Sequence, residues 1–228
     1  MRKKFELLLH GLDIELTENM YNQFMKYYEL LIEWNSKINL TAITEFEDVF
    51  IKHFYDSLCL LKGIKLSNET LLDVGSGAGF PSVPLKIVFK DINITIIDSL
   101  NKRINFLKSL TSELGITVEL IHGRAEEHHL KNHYDIVTAR AVSNLQILSE
   151  LCIPFVKKEG CFIALKGSNF EEEVNKSKKA INILGGKLNE VVQYNVEGLG
   201  RSLIIIDKVK ETNSKYPRIY GKIKSNPL

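Results

Sequence analysis

From Thr70 to Lys208 the chain alternates short β-rich runs with helically spaced apolar residues, and that alternation leaves few folds open. The β-rich runs are residues 70–75, 93–98, 117–122, 134–139 and 160–166. Helical spacing falls at about 84–89, 102–114, 143–156 and 170–184. Strands joined through helices run parallel, so the pattern predicts an α/β fold, with a mostly parallel sheet and helices on both faces. Two later runs, 187–194 and 202–208, are joined by a short linker containing Gly198 and Gly200. They read as a terminal hairpin that adds an antiparallel strand at the sheet edge.

The residues before this alternation read as helical. Phe5, Leu8, Leu9 and Leu12 share one face, and Thr17 is a candidate N-cap for a helix over 18–34. That run places Met20, Phe24, Tyr27, Leu31 and Trp34 at steps of three and four. Asn35, Ser36 and Asn39 interrupt it, and helix resumes near Glu45 with Phe46, Val49, Phe50 and Phe54 inward. Apolar periodicity of this kind serves packing, so these aromatics read as core rather than as a base-stacking platform. The expected organisation is a helical extension (1–66), a cofactor-binding domain (67–210) and a basic tail (211–228).

Composition narrows the setting. A chain of 228 residues buries a core without staples, and the scattered Cys59, Cys152 and Cys161 give neither a disulfide framework nor a zinc ribbon. His128, His129 and His133 lack an HExxH pattern or a cysteine partner, so no metal is expected. The apolar run near the start is broken by His10, Asp13 and Glu15, and no stretch is long enough to span a bilayer. A reducing cytoplasm without a membrane is the setting these features predict. The net charge is only +2, yet the tail concentrates Lys208, Lys210, Lys215, Arg218, Lys222 and Lys224 against Glu211. Local basic ends of this kind attract phosphates.

The most specific motif is LLDVGSGAGF, residues 71–80. It follows the first predicted strand, where open α/β sheets bind ligands. Gly75, Gly77 and Gly79 allow a tight turn and close approach of a ligand to the backbone. Dinucleotide folds require GxGxxG, with a pyrophosphate on the following helix. Phe80 occupies the last of those positions, so that pattern fails. The acid Asp73 followed by GxGxG instead looks like the first motif of Rossmann-like methyltransferases, whose loop wraps the amino-acid end of S-adenosylmethionine. Asp98 ends the second strand, where a carboxylate accepts from ribose hydroxyls; the competing reading is a cap on the next helix. Ala125 and Glu126 follow the third strand, beside an expected adenine site, and Arg140 follows the fourth, over the cofactor.

Amino-group methylation of bases usually relies on an Asp or Asn with Pro-Pro-aromatic after the fourth strand. This chain has Ala139-Arg140-Ala141-Val142. Pyrimidine C5 methylation needs a nucleophilic cysteine, and neither Cys152 nor Cys161 is well placed. Ring-nitrogen methylation needs no base, only alignment, and fits these absences. A small-molecule methyltransferase of the same fold and a non-catalytic cofactor-binding module stay open. The basic ends and helical extension speak against the first, and the intact loop with Asp98 against the second.

Along nearly its whole length the chain resembles the bacterial RsmG (GidB) family. The resemblance rests on WNSKINLTAI (34–43), HFYDSL (53–58), DVGSGAGFPSVPLKI (73–87), DSLNKRINFL (98–107), GRAEE (123–127) and ARAV (139–142). It continues in LKG (165–167), GLGRSLIIIDK (198–208) and KYPRIYGKIKSNPL (215–228). Two departures are Ser82, where the family usually has Gly, and Ala139, where it usually has Ser. The resemblance implies a Rossmann-like class I methyltransferase fold, with S-adenosylmethionine as cofactor. The implied product is 7-methylguanine at position 527, in the 530 loop of 16S ribosomal RNA. It implies cofactor contacts at Gly75, Phe80, Ala125, Glu126 and Arg140, with Asp98 beside them. RNA contacts are implied at Asn39, Lys102, Arg124, Lys166, Arg201 and the tail residues Lys215 and Arg218. Arg140 is the candidate catalytic residue, the partner is 16S ribosomal RNA or the small subunit, and no obligate protein partner is evident.

Overall fold

The computed structural model describes residues 1–140 and 142–228. Ala141, within the ARAV motif, lies outside the described residues. The strands are β1 (Thr70–Val74), β2 (Asn93–Asp98), β3 (Glu119–His122), β4 (Tyr134–Arg140), β5 (Val156–Gly167), β6 (Gly186–Val196) and β7 (Leu199–Lys208). They form one seven-stranded sheet in the order β3-β2-β1-β4-β5-β7-β6. The first five run parallel, β7 pairs antiparallel with β5, and β6 pairs antiparallel with β7. This is the expected fold. The hairpin turns on Glu197 and Gly198, both at positive φ (49° and 80°), the conformation that two-residue hairpin turns favour.

Alternate residues of each strand face opposite ways, and the core divides accordingly. Leu71, Ile96, Ile136, Ile163 and Ile205 face one cluster; Leu72, Ile97, Val137, Phe162 and Ile206 face the other. The first face is covered by α1 (Arg2–His10), α2 (Glu18–Ile38), α3 (Phe46–Val49), α4 (Asp56–Leu58), α5 (Ser82–Val88) and α6 (Asn101–Leu114). The second is covered by α7 (Leu145–Cys152), α8 (Glu171–Ile183) and α9 (Tyr220–Ser225). The first 62 residues thus share a continuous core with the sheet.

Several boundaries differ from the sequence expectation. Helix α2 continues past Trp34 to Ile38 and stops at Asn39, whose φ of 49° is left-handed. Asn35 does not break the helix; its Oδ1 accepts from the Leu40 and Thr41 amides beyond the helix end. Between α3 and α4 the backbone makes a π-helical turn, Phe50–Tyr55. The expected helix over 143–156 is cut short at Cys152. Pro154 has no N–H to extend it, so a 3₁₀ turn (Ile153–Phe155) follows and β5 begins early at Val156. A short helix, α9, occurs where the sequence shows little periodicity.

One side chain joins the N-terminal helices to the glycine loop. Tyr27 is fully buried, stacks on Phe80 with ring centroids 5.4 Å apart, and donates from Oη to the Ala78 carbonyl at 2.5 Å. Tyr27→Phe leaves that carbonyl without its donor and should cost about 1–3 kcal/mol in urea unfolding. An unchanged unfolding midpoint would show that the bond contributes nothing to the fold.

Candidate active site

The sheet order reverses between β1 and β4, and the loops leaving the carboxyl ends of β1 to β4 meet there, the usual ligand position in open α/β sheets. Gly75, Gly77 and Gly79 all have positive φ (74°, 63° and 97°). At Gly79 a Cβ would also meet Tyr27 Oη and Val83 Cγ2 at 2.8 Å, so packing as well as conformation demands glycine. At Gly77 a Cβ would meet nothing within 4 Å, which leaves its backbone open to a ligand.

Beneath the loop, Asp73 is fully buried and its Oδ2 accepts from Ser82 Oγ at 2.6 Å. Among the described residues, its Oδ1 and the buried Ser76 Oγ have no partner. Burial raises the Asp73 carboxyl to about 7, despite the Ser82 bond and the charge of Arg140.

Three cavities line up along this edge. The first, about 410 Å³, is walled by Val74, Gly75, Ile97, Asp98, Glu126 and Tyr220 among others. The second, about 180 Å³, shares Gly75 and Arg103 with the first and adds Ser76, Gly77, Phe80 and Thr41. The third, about 340 Å³, shares His53 and Arg140 with the second and adds Lys52, Asp56, Tyr194 and Arg201. The first has the size of a small-ligand site.

Asp98 bridges the start of α6 and the glycine loop. Oδ1 accepts from the Leu100 amide at 2.9 Å, which holds the start of α6. Oδ2 faces the Gly77 amide at 3.3 Å and Arg103 at 3.4 Å, both long bonds.

Between the second and third cavities is a compact charged cluster. The π-helical turn presents His53, whose ring stacks on Phe80 at 4.6 Å. Arg140 NH2 lies 3.5 Å from His53 Nδ1, and the opposite nitrogen, Nε2, shares a 2.7 Å hydrogen bond with Thr41 Oγ1. Burial and the neighbouring Arg140 charge lower His53 to about 3, so the ring is neutral. The Arg140 guanidinium lies 4.8 Å above Phe80 and 3.6 Å from Asp56 Oδ2. Asp56 also accepts from Arg201 Nε at 3.3 Å and, through Oδ1, from Tyr194 Oη at 3.1 Å. This arrangement holds a neutral imidazole and a paired guanidinium around an aromatic face.

The family described as rRNA small subunit methyltransferase G (GidB) matches residues 20–203. The chain belongs to this family. A relative named ribosomal RNA small subunit methyltransferase G, from Lactococcus lactis, is 50% identical, with 99% of this chain and 98% of the relative covered. Among solved structures, a methyltransferase from Pyrococcus furiosus matches with TM-score 0.57 and 13% identity, over 82% of this chain and 99% of that one. TYW2 of M. jannaschii, in complex with AdoMet, matches with TM-score 0.55 and 17% identity, over 64% and 72%. At such identities the structures support the fold alone.

Within this methyltransferase, Gly75, Gly77, Phe80, Asp98, Ala125, Glu126 and Arg140 all line the first two cavities. Asp73 lies beneath the loop and Gly79 packs on Tyr27. Arg124 lines the first cavity and stands 5.7 Å over the Tyr220 ring. Lys166 and Arg201 line the third cavity, but Lys166 is already bonded to Glu173 and the Ser143 carbonyl. Asn39 and Lys102 are exposed, each next to a lining residue (Leu40 and Arg103). Lys215 is exposed, with Nζ 5.2 Å from its neighbour Tyr216.

Arg218 is placed otherwise than a free tail cation. Its Nε and NH2 grip the two Glu150 oxygens at 2.8 and 2.6 Å, and Glu150 is 1% exposed. His128 bonds Tyr134 Oη and packs on Phe155, and the described residues contain no group of three or more His, Cys, Asp or Glu suited to a metal. No described helix is long and apolar enough to cross a membrane. His53, Asp56, Arg103, Tyr194 and Tyr220 were not among the residues expected at the site. His53, Asp56, Arg103 and Tyr220 lie in stretches that resemble the family, but their partners are visible only in three dimensions.

Ser82 supplies the hydroxyl that Asp73 accepts from. Asp73 is raised from an ordinary 3.8 to about 7, so the folded state holds its proton more tightly than the unfolded chain. On its account stability is greatest below about pH 4 and falls as pH rises through 7. Ser82→Ala removes a donor to the anion and extends that loss upward. Denaturant midpoints should therefore drop further at pH 8 than at pH 5. Equal drops at both values would show that Asp73 does not ionise in the fold.

Proposed function

We propose that this methyltransferase transfers a methyl group from S-adenosylmethionine to N7 of guanine 527 in the 530 loop of 16S ribosomal RNA. The observation that carries the choice of atom is the state of the groups around Arg140. His53 is held neutral far below its ordinary range, with Nδ1 3.5 Å from a guanidinium. Asp56 is engaged by Arg140, Arg201 and Tyr194. Among the described residues of the third cavity these are the groups suited to accepting a proton. Both are committed, and a ring nitrogen with a free lone pair has no proton to lose.

The residues of the first two cavities fit the cofactor. Gly77 is open, Ser76 Oγ is buried without a partner among the described residues, and Asp98 keeps two long, replaceable bonds. Asp98 would hold the ribose, Ala125 and Glu126 the adenine edge, and Gly75, Gly77 and Phe80 the amino-acid end, with Asp73 and Gly79 shaping the loop. The cofactor supplies an electrophilic methyl group on a sulfonium centre. The chain supplies alignment: Arg140, fixed over Phe80 by Asp56, stands between that end and the third cavity, which would receive the purine. Asn39, Lys102, Arg124, Lys166, Arg201 and Lys215 would meet RNA phosphates around the openings. In this reading residues 1–66 complete the base side, 67–210 hold the cofactor and 211–228 form a basic closing segment, in a cytoplasmic enzyme acting on RNA or the small subunit.

Because no proton is removed, the single-turnover rate should be nearly flat from about pH 6 to 9. Arg140→Ala should lower it strongly, and Arg140→Lys should restore only part, since lysine lacks the planar fork that reaches Asp56 and His53 together. A tenfold rise per pH unit across that range would contradict transfer to a ring nitrogen.

A further inference from the structure

The C-terminal segment packs against α7 and reaches the first cavity. The segment is tied down along its length. Lys131 Nζ donates to the carbonyls of Ser214 and Tyr216 at 3.1 and 2.7 Å. The Arg218 amide and guanidinium together give three bonds to the buried Glu150, and its NH2 also donates to the Asn226 carbonyl at 3.1 Å. Ile223 is fully buried in the second core cluster, and Gln146 donates to the Leu228 carbonyl. Glu150 and Gln146 belong to α7, so the tail is strapped across that helix.

The consequence is the position of Tyr220. Two residues beyond the Arg218 clasp, it lines the 410 Å³ cavity together with strand-end residues that include Val74 and Ile97. The ring is half-buried, and Arg124, itself a lining residue, stands over it at 5.7 Å. With Val74, Ile97, Ala125, Val142 and Leu151, the cavity offers apolar surface and one aromatic ring, while its carboxylates are Asp98 and Glu126. Such a wall suits a flat, neutral heterocycle with a polar edge and a hydroxylated sugar.

We propose that Tyr220 is a wall of the adenine site, so that the basic C-terminal segment belongs to the cofactor site, with Arg218 and Glu150 as the residues that position it. This rests on reading the first cavity as the adenosine end. Lys131, Arg218 and Glu150 hold the strap from outside the cavity; Tyr220 makes the contact. The positive charge of Arg218 is spent on Glu150, not offered to phosphate.

The test uses the full-length chain and S-adenosylhomocysteine as probe, without RNA. By calorimetry, Tyr220→Ala should weaken binding about five- to tenfold, and Tyr220→Phe should stay within twofold of the parent, because the ring and not the hydroxyl does the work. With small ribosomal subunits as substrate, Tyr220→Ala should raise KM for S-adenosylmethionine and leave kcat and KM for the subunit unchanged, a split that a general loss of folding would not give. Arg218→Lys, which keeps charge near Glu150 but loses the fork, should weaken S-adenosylhomocysteine in the same direction while thermal melting shows a folded protein. A parent that binds the probe and a Tyr220→Ala variant that binds it equally well would overturn the assignment of Tyr220 alone. A parent that does not bind it would overturn the cofactor reading beneath it.

Discussion

The Asp56 carboxylate is the point on which the site's geometry depends. It is 4% exposed and accepts from Tyr194 and Arg201, with Arg140 3.6 Å away. A carboxylate removed from water is costly unless donors surround it, and here the donors come from elements distant in sequence. Asp56 begins α4, Arg140 ends β4, and Tyr194 and Arg201 belong to the edge hairpin β6–β7. Satisfying one buried charge therefore fixes three parts of the chain relative to one another. It also fixes the guanidinium over Phe80, the last residue of the glycine-loop motif.

The segments outside the central sheet are parts of this arrangement. Tyr27, on α2, bonds the loop backbone at Ala78 and stacks on Phe80; Thr41 orients His53 from the other side of the ring. At the opposite end, the Arg218–Glu150 pair draws the tail across α7 and brings Tyr220 to the cavity wall. The cavities that meet at Gly75, Arg103, His53 and Arg140 are bounded by residues from all of these segments.

What could be read from the sequence was what spacing encodes. The glycine loop, Asp98 at the end of its strand and Arg140 after the fourth strand follow from a strand-turn-helix pattern whose chemistry is local. The edge hairpin was also legible, although Gly200 lies inside β7 rather than in the turn. Long-range partners were not. Asp56 meets Tyr194 and Arg201 across 138 and 145 positions, and no periodicity announces such a pairing. Arg218 shows the same limit from the other side: its charge was visible, but Glu150, 68 positions earlier in a run that reads as plain helix, was not. The early stop of α7 at Cys152 has a visible cause in Pro154, but the apolar periodicity over 143–156 runs on past it.

On the function proposed above, this arrangement aligns a guanine N7 with the methyl donor. The most direct test of that alignment is to incubate the purified protein with S-adenosylmethionine carrying an isotopically labelled methyl group and small ribosomal subunits from a strain lacking the enzyme. The RNA is then digested and the label located by mass spectrometry. The account predicts label in 7-methylguanosine at position 527 of the 530 loop. Label on another atom or another nucleotide would contradict it.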